Sequence, residues 1–319
     1  MTDTVRLLPI DAATYVRHPL HAPDRDWPET NCYVDLWIEV LHALGHDPVA
    51  GLAFTLGAGF DGDQWEFFKY PAEDVWALYG IQVREINVWR SIEEHIGLHL
   101  ALGHLLTVEV DSWFLPDTAG VSYQLDHQKT TIVPQHLDTV GRRLGYFHNA
   151  GYYELEGDDY AGALRLDGAG LAPYMEFVSL ERQVRRSATD LRERALGLTR
   201  GHLERRPERN PVDAMAARVA TDLPWLLEHP DRFHGYAFGS LRQCGAWAST
   251  AAAFVRWLDD ATVRSAADEL DAISSLAKTA QFKLARVLAG RTVDVAEQLS
   301  TMAAHWHGAM TTLAERYGN

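Results

Sequence analysis

From Val34 onward the apolar residues Val34, Trp37, Ile38, Leu41 and Leu44 recur at helical spacing, with Asp35, Glu39 and His42 on the other side. This pattern predicts an amphipathic helix opened by Cys32, with Thr30 or Asn31 as N-cap and Gly45 followed by Asp47-Pro48 as the stop. A short apolar segment, Val49 to Leu56, then runs into a glycine-rich turn at Gly57, Gly59 and Gly62. Beyond it the pattern predicts an aromatic strand over Gln64 to Tyr70, a helix over Ala72 to Tyr79, a strand over Ile81 to Val88 and a helix over Ile92 to Leu102. Three further strands are expected at Leu105 to Phe114, Thr130 to Leu137 and Arg143 to His148. From about Glu176 strand signals stop, and alanine-, leucine- and arginine-rich stretches predict four or five packed helices. In the last of these Val295, Leu299, Met302, Trp306, Met310 and Leu313 share a face, and Thr292 can cap the start. Arg205 to Pro211 is the expected exposed connection.

One early helix followed by a largely antiparallel sheet is the order of an α+β, papain-like domain, here followed by an all-α helical domain. A length of 319 residues fits two domains at ~150 residues each. The front part holds 23 of the 33 aromatic residues within positions 1–180, so the expected division is residues 1–175 for a Cys/His catalytic domain and 176–319 for a helical one.

The formal charge of −15 argues against binding nucleic acid or an anionic membrane, since both need clustered positive charge. A small or neutral substrate fits better. No stretch approaches the ~20 apolar residues that span a bilayer, and Met1 to Arg6 lacks the apolar core of a secretory leader; the expected location is cytoplasmic. Only two cysteines occur, Cys32 and Cys244, which points to free thiols and not to a disulfide scaffold.

Candidate chemistry begins with Cys32. A thiol at a helix N-terminus gains from the helix dipole, and a neighbouring imidazolium lowers its pKa further. His127, after a polar loop, can supply the base, and Asn149, near the end of the following strand, the orienter; His148, Asp138 and Asp111 are the other possible orienters. Cys244, among small and apolar residues, reads as packing. The i, i+4 pairs His42/His46 and His95/His99 read as solvated surface histidines, because the glutamate of a zinc-protease helix is missing; no metal site is expected. Asp61-Gly62-Asp63 fails as a calcium loop, because Ala72 stands where a bidentate glutamate is needed. Between Glu181 and Asn210 nine arginines face five acids, either a solvated helix pair or a docking face for an acidic partner protein.

Four segments carry a resemblance: Asn31-Cys32-Tyr33-Val34-Asp35-Leu36-Trp37, Val110 to Pro116, Asp126 to Thr131 and Gly145 to Leu155. They resemble an uncharacterised bacterial family, catalogued as a domain of unknown function and often found beside amino-acid:carrier-protein ligases. More distantly, residues ~25 to 155 are similar to the N-terminal domain of the butirosin acyltransferase BtrH, a Cys/His enzyme. The resemblance implies Cys32 as nucleophile, His127 as base and Asn149 as orienter. It also implies an acyl or aminoacyl carrier protein as partner, with its phosphopantetheine arm as substrate, a small-molecule acceptor, and no bound cofactor. Papain-like enzymes place an oxyanion-hole glutamine six residues before the cysteine, where this chain has Asp26; Asn31 or Trp27 would have to donate instead. Trp113, Tyr152 and Tyr153 are candidate walls of the acyl site, and Asp111 or Glu154 a holder for a substrate ammonium. The function expected is acyl transfer through acyl-Cys32. Its alternatives are a thioesterase or amidase using the same pair, and a non-catalytic module that binds a carrier protein.

Overall fold

The computed structural model describes residues 4–168 and 170–318, so of the N-terminal segment noted above residues 1–3 lie outside it. It is mixed α+β: an antiparallel sheet lies in the N-terminal half and a helical region follows. Two compact units emerge. One comprises the described residues within 1–22, 31–48 and 70–187, the other those within 23–30, 49–69 and 188–319. Among the described residues no helix is long and apolar enough to cross a membrane.

The first unit holds seven strands in one sheet: β1 (Thr4–Arg6), β2 (Gln82–Glu85), β3 (Leu105–Asp111), β4 (Lys129–Asp138), β5 (Arg143–His148), β6 (Gly151–Glu156) and β7 (Met175–Ser179). Their order is β2-β7-β3-β4-β5-β6, with β1 paired to the far end of β4, and every pairing is antiparallel. Strand signals therefore do not end at Glu176. That residue lies inside β7, which is hydrogen-bonded to β2 on one side and β3 on the other. Helices α1 (Cys32–Ala43), α2 (Ala72–Tyr79), α3 (Ile92–Ala101) and α4 (Gly157–Ala163) complete this unit.

Helix α1 starts where the chain offers a cap: the Asn31 side chain accepts from the N–H groups of Tyr33 and Val34 at 3.1 and 3.0 Å. Its first turn is pinned to the sheet by the Tyr33 hydroxyl, which donates to Glu176 at 2.6 Å; Thr107 and Tyr174 donate to the same carboxylate. The polar side of α1 does not face solvent, contrary to the amphipathic expectation. Asp35 and Glu39 are buried and close on His21, while Glu39 also accepts from the Tyr15 hydroxyl at 2.6 Å and the His18 N–H at 3.0 Å. Burial opposes protonation of His21, but the two carboxylates outweigh it and raise the ring to about 9.

In the β4–β5–β6 meander, Tyr146 faces Tyr153 and Phe147 faces Tyr152, and a bulge between Pro134 and His136 lets β4 keep a proline inside a paired strand. Gly145 is required for close approach: a Cβ there would meet the Tyr152 hydroxyl at 2.0 Å. Gln135 donates to that hydroxyl from the other side, and Tyr152 packs on Phe147 and Tyr15.

The second unit is helical: α5 (Ala188–Arg205), α6 (Pro211–Glu228), the short α7 (Phe233–Ala237), α8 (Gln243–Trp257), α9 (Arg264–Leu288) and α10 (Ala296–Tyr317). The last helix buries Leu299, Met302, Trp306, Met310 and Leu313 as its periodicity predicts, but it opens at Ala296, beyond Thr292. Gln64 to Tyr70 is not a strand. Trp65 makes one isolated bridge to Phe60, stacks on Trp247 at 5.1 Å and donates its backbone N–H to Gly239 in a π-turn, so its hydrogen bonds go to helical partners.

Candidate active site

Cys32 is the first residue of α1 and is half-buried. Burial pushes its thiol above the ordinary value. The neighbouring Thr130 and Thr131 act the other way and favour its thiolate; Asp35 adds to the rise and Lys129 opposes it. The expected lowering of the thiol by the helix end and an imidazolium is thus reversed, because desolvation of the anion is the larger effect.

Two histidine–aspartate pairs stand on the strands that follow. At the end of β3, Asp111 caps a short 3-10 turn by accepting from the Trp113 N–H at 3.0 Å, and its other oxygen meets His127 Nδ1 at 2.6 Å. The same turn lays the Trp113 ring against the His127 ring, stacked at 4.4 Å. This pair is open to solvent, with the His127 side chain 67% and that of Asp111 30% exposed.

The second pair is closed. Asp117, in the 3-10 turn Pro116–Thr118, meets His148 Nδ1 at 2.6 Å, and their side chains are 3% and 1% exposed. The Tyr146 hydroxyl donates to the other Asp117 oxygen at 2.5 Å, and burial followed by the neighbouring carboxylate drives the Tyr146 phenol far up in pKa. On the far side of the ring His148 Nε2 lies 2.7 Å from the Thr130 hydroxyl. Thr130, His148, Asp117 and Tyr146 therefore form a continuous polar chain.

The structure brings Asp111, Trp113 and His127 together, and Asn31 caps the helix that carries Cys32. Asp111 stands where the sequence favoured Asn149. Asn149 lies in the β5–β6 turn at φ 44°, and among the described residues no hydrogen bond joins it to His127, nor Cys32 to His127. Tyr152 is core, whereas Tyr153 is half-buried and accepts from Arg17 at 3.2 Å. Glu154 is exposed, with His136 4.0 Å away. Asp117 and Thr130 were missed. Strand alternation puts Tyr146 and His148 on one face, but the loop that delivers Asp117 has no local signal.

Cys244 is buried in α8, which pushes its thiol far up. The paired histidines are not all surface residues: His46 and His95 are buried, His46 being held near 4 by burial and then Arg185. Among the described residues no group of three or more His, Cys, Asp or Glu can hold a metal ion. Of the arginines after Glu181, Arg185 and Arg186 donate to the carbonyls that end α1 and α2, at Leu44 and Leu78.

No curated protein matches the chain. Residues 16–180 match the model of the DUF1839 N-terminal domain and residues 188–315 that of the DUF1839 C-terminal domain, so the chain belongs to the DUF1839 family.

Proposed function

We propose that the protein is a papain-like cysteine acyltransferase. Cys32 takes an aminoacyl group from a carrier-protein phosphopantetheine thioester and hands it to an amine or another small nucleophile. The observation that carries this reading is Cys32 at the first residue of a capped helix. The choice of donor rests on what the resemblance of the Cys32 and His127 segments implies.

In the first half-reaction the Cys32 S–C bond forms and the thioester C–S bond breaks. The phosphopantetheine sulfur leaves as a thiol, carrying the proton that left Cys32. In the second, the acceptor N–C bond forms, the Cys32 S–C bond breaks, and the amine proton passes through His127 to the released sulfur. Asp111, engaged with His127 Nδ1, orients that base and is not left to hold a substrate ammonium. The raised Cys32 thiol favours a second reading, a non-catalytic module that binds a carrier protein.

Intact-mass measurement after incubation with carrier proteins loaded with glycine and other amino acids tests both, with Cys32→Ala as control. A mass gain of one aminoacyl group in the wild type alone is expected. Loss of thioester to free amino acid identifies a hydrolase. Neither event across several amino acids overturns catalysis and leaves the binding module.

A further inference from the structure

We infer that the helical unit holds a binding site for a small amphiphilic cation, a primary alkylammonium ion, in the cavity between α6, the end of α9 and the start of α10. The site lies wholly within that unit and does not depend on Cys32 as nucleophile.

The cavity arises where three apolar faces meet without filling the space between them. Val219 and Leu223 stand four residues apart on α6, Leu284 and Val287 three apart near the end of α9, and Val295 and Leu299 four apart where α10 begins, so each pair shares one face of its helix. Val219, Leu284 and Leu299 are buried, whereas Leu223, Val287 and Val295 are left half-buried around a space of about 320 Å³. That volume falls within the roughly 300–1,000 Å³ of small-molecule sites. Apolar walls that folding leaves half in water gain from being covered by hydrocarbon.

Charge fixes the other end of the ligand. Among the described residues that line the cavity only Asp213 and Asp294 are charged, and both are acidic. Asp294 Oδ1 accepts from the Ala296 N–H at 2.8 Å, but its second oxygen and the whole Asp213 carboxylate have no hydrogen bond or ion pair among the described residues. An alkylammonium answers both halves of the lining: its chain covers the apolar faces, and its head brings three N–H donors to carboxylates that only accept. A fatty carboxylate of the same length would set like charges together, and a neutral alcohol would leave the acidic side without a counter-charge.

The test is a methyl NMR titration of the whole protein, labelled at leucine and valine, with hexylammonium chloride, 1-hexanol and sodium hexanoate. Hexylammonium is expected to shift the Leu284, Val287 and Leu299 methyls and to bind about tenfold more tightly than hexanol, with hexanoate weakest. From butyl- to hexylammonium, Kd is expected to fall about fourfold per added methylene. The double variant Asp213→Asn, Asp294→Asn is expected to bring hexylammonium down to the affinity of hexanol and to leave hexanol unchanged. Ala220→Phe, at an exposed position of α6 that lines the cavity, is expected to block all binding, and thermal unfolding of both variants checks folding. The three-ligand comparison in the wild type decides the matter without any variant. Hexanoate binding as tightly as hexylammonium overturns the cation, as does an amine preference that survives the double variant. Shifts confined to other methyls, or none with any of the three compounds, overturn the site. Broadening of these methyls that grows with protein concentration before ligand is added puts a second copy of the chain in the cavity and overturns the small-molecule occupant. No acyl donor is present in any arm, so each of these outcomes leaves acyl transfer at Cys32 where its own test puts it.

Discussion

His127–Asp111 and His148–Asp117 are pairs of the same 2.6 Å length in opposite settings. The first lies in water with a tryptophan at its back. The second is sealed: beyond the bond they share, the other ring nitrogen is taken up by Thr130 and the other carboxylate oxygen by Tyr146. Equal distance does not mean equal consequence: solvent competes for the open pair, whereas removing one member of the closed pair strands the others without water to replace it. The contrast also separates roles. An open imidazole can meet an incoming acceptor; a closed one can exchange protons only along its own hydrogen bonds.

The sharpest way to break this contrast is to delete each carboxylate. Asp117→Ala is expected to lower unfolding free energy by about 3 kcal/mol, read by urea denaturation, because it orphans His148 and Tyr146. A loss under about 1 kcal/mol would show that the closed pair is not what it looks like.

A third histidine extends the comparison. His21, enclosed by Asp35 and Glu39, has its folded value raised to about 9, so its protonated form stabilises the fold. That contribution is complete below about pH 6.5, the value of a free imidazole, and is lost as pH rises through about 9. The unfolding midpoint should fall across that window in the wild type, and the fall should vanish in His21→Gln. On the acid side the sign reverses: burial first, with neighbouring His42, holds His18 near 4, so its neutral form stabilises above about 6.5 and that contribution is lost as pH drops toward 4.

The smallest effects belong to the open pair. Asp111→Ala should alter stability by less than about 1 kcal/mol, and Trp113→Ala by about 0.5 kcal/mol. Trp113→Ala should nevertheless move the His127 ring-proton resonances seen by NMR, since the stacked indole lies over one face of the imidazole. A His127 resonance unmoved by either change would remove Asp111 and Trp113 from that site.

Local chemistry explains what was legible in the sequence. The start of α1 followed from Asn31, and β4 and β5 from their β-branched and aromatic alternation, to within a residue. The misses are long-range. β7 is five residues of mixed character that become a strand because β2 and β3 flank them, and Gln64 to Tyr70 has strand composition but helical neighbours. At the site, Asn149 falls in the β5–β6 turn, one residue beyond the end of β5. The partner of His127 came from β3 instead, and nothing near Asp117 in sequence announces the histidine it reaches.

Gly145 and Tyr152 carry a different kind of consequence. The phenol occupies the volume that any side chain at residue 145 would need, and Gln135 holds it there. The two positions should therefore be inherited as a unit: homologues that keep the tyrosine keep the glycine, and a lineage that gains a side chain at 145 must first surrender the ring. An alignment rich in such changes would be expected to show them as a linked exchange, with residue 135 drifting toward apolar types once its hydroxyl partner is gone.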